Sequence, residues 1–215
     1  MSNDKTFSIA DIIRQRGGRG GIVKTADERV HIHVPDARRV LMEAMVDELG
    51  ARAQWLPEYE EVAEWLADND GRGLLCIGNC GRGKSLLTQI LLPRIINRYH
   101  RLVVNCYTAH QLNEYWRDER DRTHLKFDEI CQWKLLSIDD LGTETQEAVI
   151  YGERHRFFPK LADEAERKHK LLLLSTNLTP DEMFGPHGYY DLRTKDRLGA
   201  LCRRVYFEGE SIREK

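Results

Sequence analysis

The chain has 215 residues, 32% of them charged, and a formal net charge of −2. That length carries one substantial α/β core with a short appendage, and the near balance of charge excludes a chain-wide affinity for polyanions, leaving nucleic acid to a local basic patch. The five cysteines are scattered without metal spacing and read as reduced thiols; no apolar run suits a signal peptide or a membrane span, so the expectation is a cytoplasmic protein.

Residues 16–21, RGGRGG, read as a flexible joint whose two arginines could also touch nucleic acid. VHIHV at 30–34 alternates like a short strand, with His31 and His33 on one face as a surface pair rather than a metal site. Asp36 is placed to cap a helix running through Glu48, with Ala37, Val40, Leu41, Ala44 and Met45 on one stripe and Gly50 ending it. Such a stripe covers its own core in preference to docking on a partner. A second helix is expected from about Pro57, with Tyr59, Val62, Ala63 and Leu66 along its inner face.

From Gly73 the pattern changes to short apolar runs separated by helical stretches: LLCI (74–77), LVVNC (102–106), KLLSID (134–139), KLLLLS (170–175) and RRVYF (203–207). Buried-type strands alternating with helices predict an α/β fold with a parallel sheet covered on both faces. Pro93 should kink the helix after the first strand or end its first half. Thr179-Pro180-Asp181-Glu182 reads as a capped helix start.

GNCGRGKS at 78–85 fits G-x-x-x-x-G-K-[ST] directly after a predicted strand and at the start of a predicted helix. Its glycines let backbone N–H groups turn toward phosphate oxygens, so the whole stretch Gly78, Asn79, Cys80, Gly81, Arg82, Gly83, Lys84, Ser85 and Leu86 is a candidate nucleotide-binding loop. Lys84 supplies charge to the β- and γ-phosphates, and the Ser85 hydroxyl is a candidate Mg²⁺ ligand. KLLSIDD ends a second buried strand with two acids. Asp139 is placed to hold Mg²⁺, while Asp140 could orient or deprotonate an attacking water. Ser175, Thr176 and Asn177 close the next strand, where an amide could reach the γ-phosphate or that water. An acid pair on a separate strand suits water attack better than transfer to a small metabolite, although a small-molecule phosphotransferase remains the alternative of another class.

The succession GNCGRGKS, LLSIDDLGTE, LLLLSTNLTPDEM and DRLGALCRRVYFEGESIR resembles the AAA+ ATPases of the DnaC/IstB type, which are helicase loaders and the ATPase helpers of transposases. The resemblance spans about residues 55–215, with 1–54 left as a short N-terminal extension. It implies a P-loop sheet in the order 5-1-4-3-2, ATP as the nucleotide, and an oligomer acting on a replicative helicase or transposase and on single-stranded DNA. Lys84 and Ser85 resemble the Walker A pair, Asp139 the Walker B metal ligand, Asn177 sensor 1, and Arg213 of GESIR a sensor-2-like arginine. Asp140 stands where many AAA+ proteins have glutamate, which keeps open a nucleotide-binding switch without turnover. In DLRTKDRL, Arg197 matches the expected arginine finger, with Arg193 as the alternative. The few residues after the fifth strand lead one to expect no helical lid domain. Between the second and third strands, Tyr115 and Trp116 with the following arginines are candidates for stacking and phosphate contacts to single-stranded DNA, although the interleaved acids read equally as a solvated helix.

Overall fold

Apolar runs too short for helices pair side by side. In the computed structural model, which describes residues 29–117, 125–144, 148–150, 153–155 and 157–213, they form strands β1 (Gly73–Gly78), β2 (Asn105–Thr108), β3 (Leu135–Leu141), β6 (Leu171–Thr176) and β7 (Cys202–Phe207). Two further short strands, β4 (Ala148–Ile150) and β5 (Glu153–His155), pair antiparallel apart from the main sheet. The five-stranded sheet is parallel throughout, in the order β2-β3-β6-β1-β7. Counted along the main-sheet strands from the other edge, that order is 5-1-4-3-2, as the resemblance implied. The Arg-Gly patch at 16–21 and the charged run at 118–124 lie outside the described residues.

The sheet is buried on both faces, and the alternation along β1 shows why its strand needs no polar side. Leu74 and Cys76 join one core, whereas Leu75 and Ile77 join the other. The first core is roofed by α1 (Ala37–Leu49), α2 (Glu58–Ala67) and α3, which starts at Lys84 and runs to His100. The second holds α4 (Ala109–Arg117), α5 (Leu125–Ile130), α6 (Phe157–Arg167), α7 (Pro180–Phe184) and α8 (Leu192–Leu201). The apolar stripe of α1 (Ala37, Val40, Leu41 and Met45) therefore covers the chain's own core. The capping box at Thr179 and Glu182 forms as its sequence predicts.

Three local expectations need correction. Residues 30–34 belong to no strand: they run extended along α2, burying Ile32 and Val34 and tying Val34 N to Leu66 O at 3.0 Å. Outward-facing His33 meets Ala67 O through Nδ1 at 2.7 Å. Asp36 does not cap α1 with its side chain; it takes a left-handed conformation (φ 49°) and its carboxylate faces Arg39 at 3.4 Å. β2 starts three residues later than its apolar run, because α3 ends on left-handed Arg101 and Val103 stays 67% exposed. Pro93 marks the end of the first half of α3, as expected: the helix widens to a π turn over Leu87–Leu91, and Pro93 stands in the first turn of the α segment that follows. The carbonyl of Gln89, four residues before the proline and lacking its usual N–H partner, accepts the Cys106 thiol at 3.7 Å.

Candidate nucleotide site

β1 ends at Gly78, and the next residues must turn sharply to start α3. Gly81 and Gly83 adopt φ of 79° and 85°, a region that side chains rarely enter. Space is equally restrictive: a Cβ on Gly83 would lie 2.3 Å from the Tyr59 hydroxyl, and one on Gly81 would lie 2.1 Å from Ser211 Oγ. The loop thus wraps around Lys84, whose residue is 4% exposed. Its ammonium donates to Gly78 O at 2.8 Å, Asn79 O at 2.7 Å and Asn177 Oδ1 at 2.8 Å. Burial pushes the Lys84 pKa down, opposed by nearby thiols and by Asp140 and Asp139.

Because β6 lies between β1 and β3, its end brings Asn177 between the loop and the acid pair. Asn177 Nδ2 donates to Asp140 Oδ1 at 3.2 Å while its oxygen accepts Lys84. A continuous polar chain, Lys84–Asn177–Asp140, therefore crosses the ends of the central strands. Asp140 itself is left-handed (φ 56°), and its N–H donates to Ser175 Oγ at 3.1 Å. The same Ser175 hydroxyl donates to Asp139 Oδ1, so one serine holds the Asp139 carboxylate and the Asp140 backbone. Burial raises the Asp140 pKa, and the neighbouring Asp139 charge raises it further; Lys84 and Asn177 act the other way.

Lys84, Ser85, Leu86, Cys80, Gly81, Gly83, Asp140, Asn177 and Arg213 all line one cleft of about 560 Å³. Gly78 and Asn79 contribute through their carbonyls to Lys84. Ser85 lines the cleft and, like Asp139, is an oxygen donor of the kind Mg²⁺ takes; Asp139 is 8% exposed, accepts from Ser175 through Oδ1 and is not among the cleft-lining residues. Arg213 lies with its guanidinium 3.8 Å from Cys80 Sγ. Arg82 turns out of the cleft to Glu58. Arg197 also stands elsewhere: it is 13% exposed and bound to Asp163 at 2.9 Å and Glu166 at 3.0 Å. Arg193, 72% exposed, reaches Asp163 at 3.7 Å.

The sequence reading missed Leu49, Ala51, Arg52 and Gln54, which bring the turn after α1 to the cleft wall. No motif marks them; they arrive because α1 packs on α2 beside the loop. Ser175 reads from the sequence only as a strand-end residue, not as the hydroxyl that holds the Asp139 carboxylate and the Asp140 backbone. Trp116 is a correction: only 4% exposed, it packs edge-on against Phe127 at 4.7 Å and offers no face to a base. Tyr115 meets Tyr107 edge-on at 6.5 Å, with Lys126 over its ring.

The sheet order, the phosphate loop after the central strand and the acid pair ending the strand beyond β6 define a P-loop fold of the AAA+ type. Among solved structures the chain is similar to the DnaC helicase loader, at 12% identity over 78% of this chain and 98% of that one (TM-score 0.57). It is also similar to DnaI, at 15% identity over 82% and 96% (TM-score 0.55). AMPPCP-bound DnaA from Aquifex aeolicus matches at 15% identity over 74% of this chain and 49% of that one (TM-score 0.54). No protein-family model and no curated protein matches the sequence. At these identities, what is shared is the fold.

Proposed function

We propose that the chain is a cytoplasmic ATPase that loads or remodels a replicative helicase, working as an ATP-dependent oligomer. The observation that carries this reading is the Lys84–Asn177–Asp140 chain, which links phosphate loop and acid pair across one cleft. In it Lys84 turns from the loop carbonyls to the β- and γ-phosphates, and the loop N–H groups take the remaining oxygens. Ser85 and Asp139 would hold Mg²⁺, which would supply positive charge to the phosphates. Asp140, its pKa raised toward that of a working base, orients or deprotonates the attacking water, and Asn177 holds its carboxylate. Arg213 contributes positive charge at the cleft mouth.

The arginine finger comes from α8 of a neighbouring subunit. Arg197 holds the position that matches the resemblance, but a neighbour's phosphate would have to displace Asp163 and Glu166, whereas the more exposed Arg193 gives up one longer contact. Helicase loading is favoured over transposition support by the likeness to a helicase loader. Single-stranded DNA belongs to the proposal without Trp116. Titration with a fluorescent ATP analogue beside phosphate release tests the ATPase: Lys84→Ala should abolish binding, and Asp140→Asn should bind but not turn over. Pull-down from the native host, with Lys84→Ala as control, tests the partner; capture of a transposase instead of a helicase would replace the loader reading.

A further inference from the structure

Arg82 lies in the middle of the phosphate loop and carries a charge that phosphates attract, yet it points away from them. Its guanidinium bonds Glu58 of α2, Nη2 at 2.6 Å and Nε at 2.9 Å to the same Oε1, and the two side chains are only 11% and 5% exposed. The remaining nitrogen donates to Glu210 O at 3.2 Å, in the segment after β7. The next residue of α2 acts on the same place, since the Tyr59 hydroxyl donates to Arg82 O at 3.1 Å and closes over Gly83. Burial and the Glu58 charge push the Tyr59 pKa up to about 12, so the hydroxyl keeps its proton at neutral pH.

The end of β7 and the segment after it grip the loop along its length. Asn79 N donates to Phe207 O at 3.0 Å, Asn79 Nδ2 to Gly209 O at 2.9 Å, and Ile212 N to Gly81 O at 3.0 Å. Arg82 is where this strap and α2 meet. A loop with three glycines is costly to order, so groups that hold it in shape before the ligand arrives raise affinity without touching the ligand.

We propose that Glu58, Tyr59 and Arg82 form a clamp that presets the phosphate loop, with Arg82 a positioning residue and not a phosphate ligand. The inference rests on the nucleotide-binding reading. It makes the residues 207–212 a part of the nucleotide site, joined to α2 through the Arg82 guanidinium and through Phe207, whose ring packs on Tyr59.

A double-mutant cycle on affinity for a fluorescent ATP analogue separates the possibilities. Glu58→Gln and Arg82→Ala should each weaken binding about tenfold (about 1.4 kcal/mol), and the double variant should be no weaker than either single one. A phosphate-ligand role for Arg82 predicts the opposite for Glu58→Gln, because the freed guanidinium would bind as well or better. A merely structural role predicts a lower melting temperature with unchanged affinity. If a single variant fails to fold, Tyr59→Phe removes only the hydroxyl contact and should still weaken binding about threefold. Hydrogen exchange on nucleotide-free protein reads the grip directly, since Arg82→Ala should speed exchange at the Ile212 amide. Failure of the wild type to bind overturns the nucleotide reading and the clamp with it; wild-type binding with an unaffected Glu58→Gln overturns the clamp alone.

Discussion

Replacing Asn177 by alanine should separate binding from turnover. The amide accepts from Lys84 at 2.8 Å and donates to Asp140 at 3.2 Å, so the substitution removes a partner from each. A hydrogen bond to a charged group is worth about 1.5–3 kcal/mol net. Lys84 retains the Gly78 and Asn79 carbonyls and stays ordered, but one contact that it must break to reach phosphate is gone. Affinity for an ATP analogue should therefore hold or tighten, by up to about tenfold if some 1.4 kcal/mol of that contact is recovered. Asp140, in contrast, loses the donor that aims its carboxylate. Loss of one preorganised donor typically costs about 10²–10³ in turnover, and a fall of that order is expected in phosphate release at saturating ATP. Anisotropy titration gives the affinity, and a melting curve checks the fold. Turnover within threefold of wild type in a folded variant would refute the role given to Asn177. A large loss of affinity would instead make it a ligand of the nucleotide.

Trp116→Ala should cost about 3–5 kcal/mol in urea unfolding, as expected for an aromatic removed from the core, without a specific loss of single-stranded DNA binding in the folded fraction. The Lys170 ammonium, bonded to Trp133 O, has its pKa pushed down to about 8 by burial and then by Lys168. Between about pH 8 and the ordinary lysine range the unfolded chain holds more protons than the folded one, so this group makes stability rise with pH; Lys170→Met should flatten that slope in denaturant titrations. ATPase specific activity should increase with protein concentration, and mixing Lys84→Ala with the true finger variant should restore some of it. Restoration with Arg193→Ala but not Arg197→Ala would assign the finger to Arg193.

The candidate site was legible because its parts are local: a glycine loop, a following Lys-Ser and acids at a strand end each occupy consecutive residues. Strands buried on both faces were equally legible, since β6 has all six residues buried and needs no alternation to be recognised. What stayed hidden depends on distant partners. Arg82 reads as a phosphate ligand until Glu58, 24 residues earlier, is seen beside it. Trp116 among charges reads as exposed until Phe127 is placed under its ring. VHIHV alternates correctly, burying Ile32 and Val34, yet alternation reports one buried face and not a paired edge. Asp36 has a capping residue's identity without its backbone, and dihedral choice is not written in composition.

The π turn at Leu87–Leu91 splits α3 into two lengths that are out of phase with each other. Such a turn holds about one residue more than an α turn, so the azimuth of every later side chain is offset by about 100° from that of an unbroken helix. With this offset Leu92, Ile95 and Ile96 point into the core that Leu87 and Leu91 also enter, while Lys84 and Ser85 remain on the cleft. Winding the same residues as an unbroken α-helix would swing the Ile95 face by about 100° from the sheet, whereas deleting one residue within 87–91 would restore regular winding and leave that face where it is. The orientation of the phosphate end and that of the core end are thus keyed to each other by a residue count.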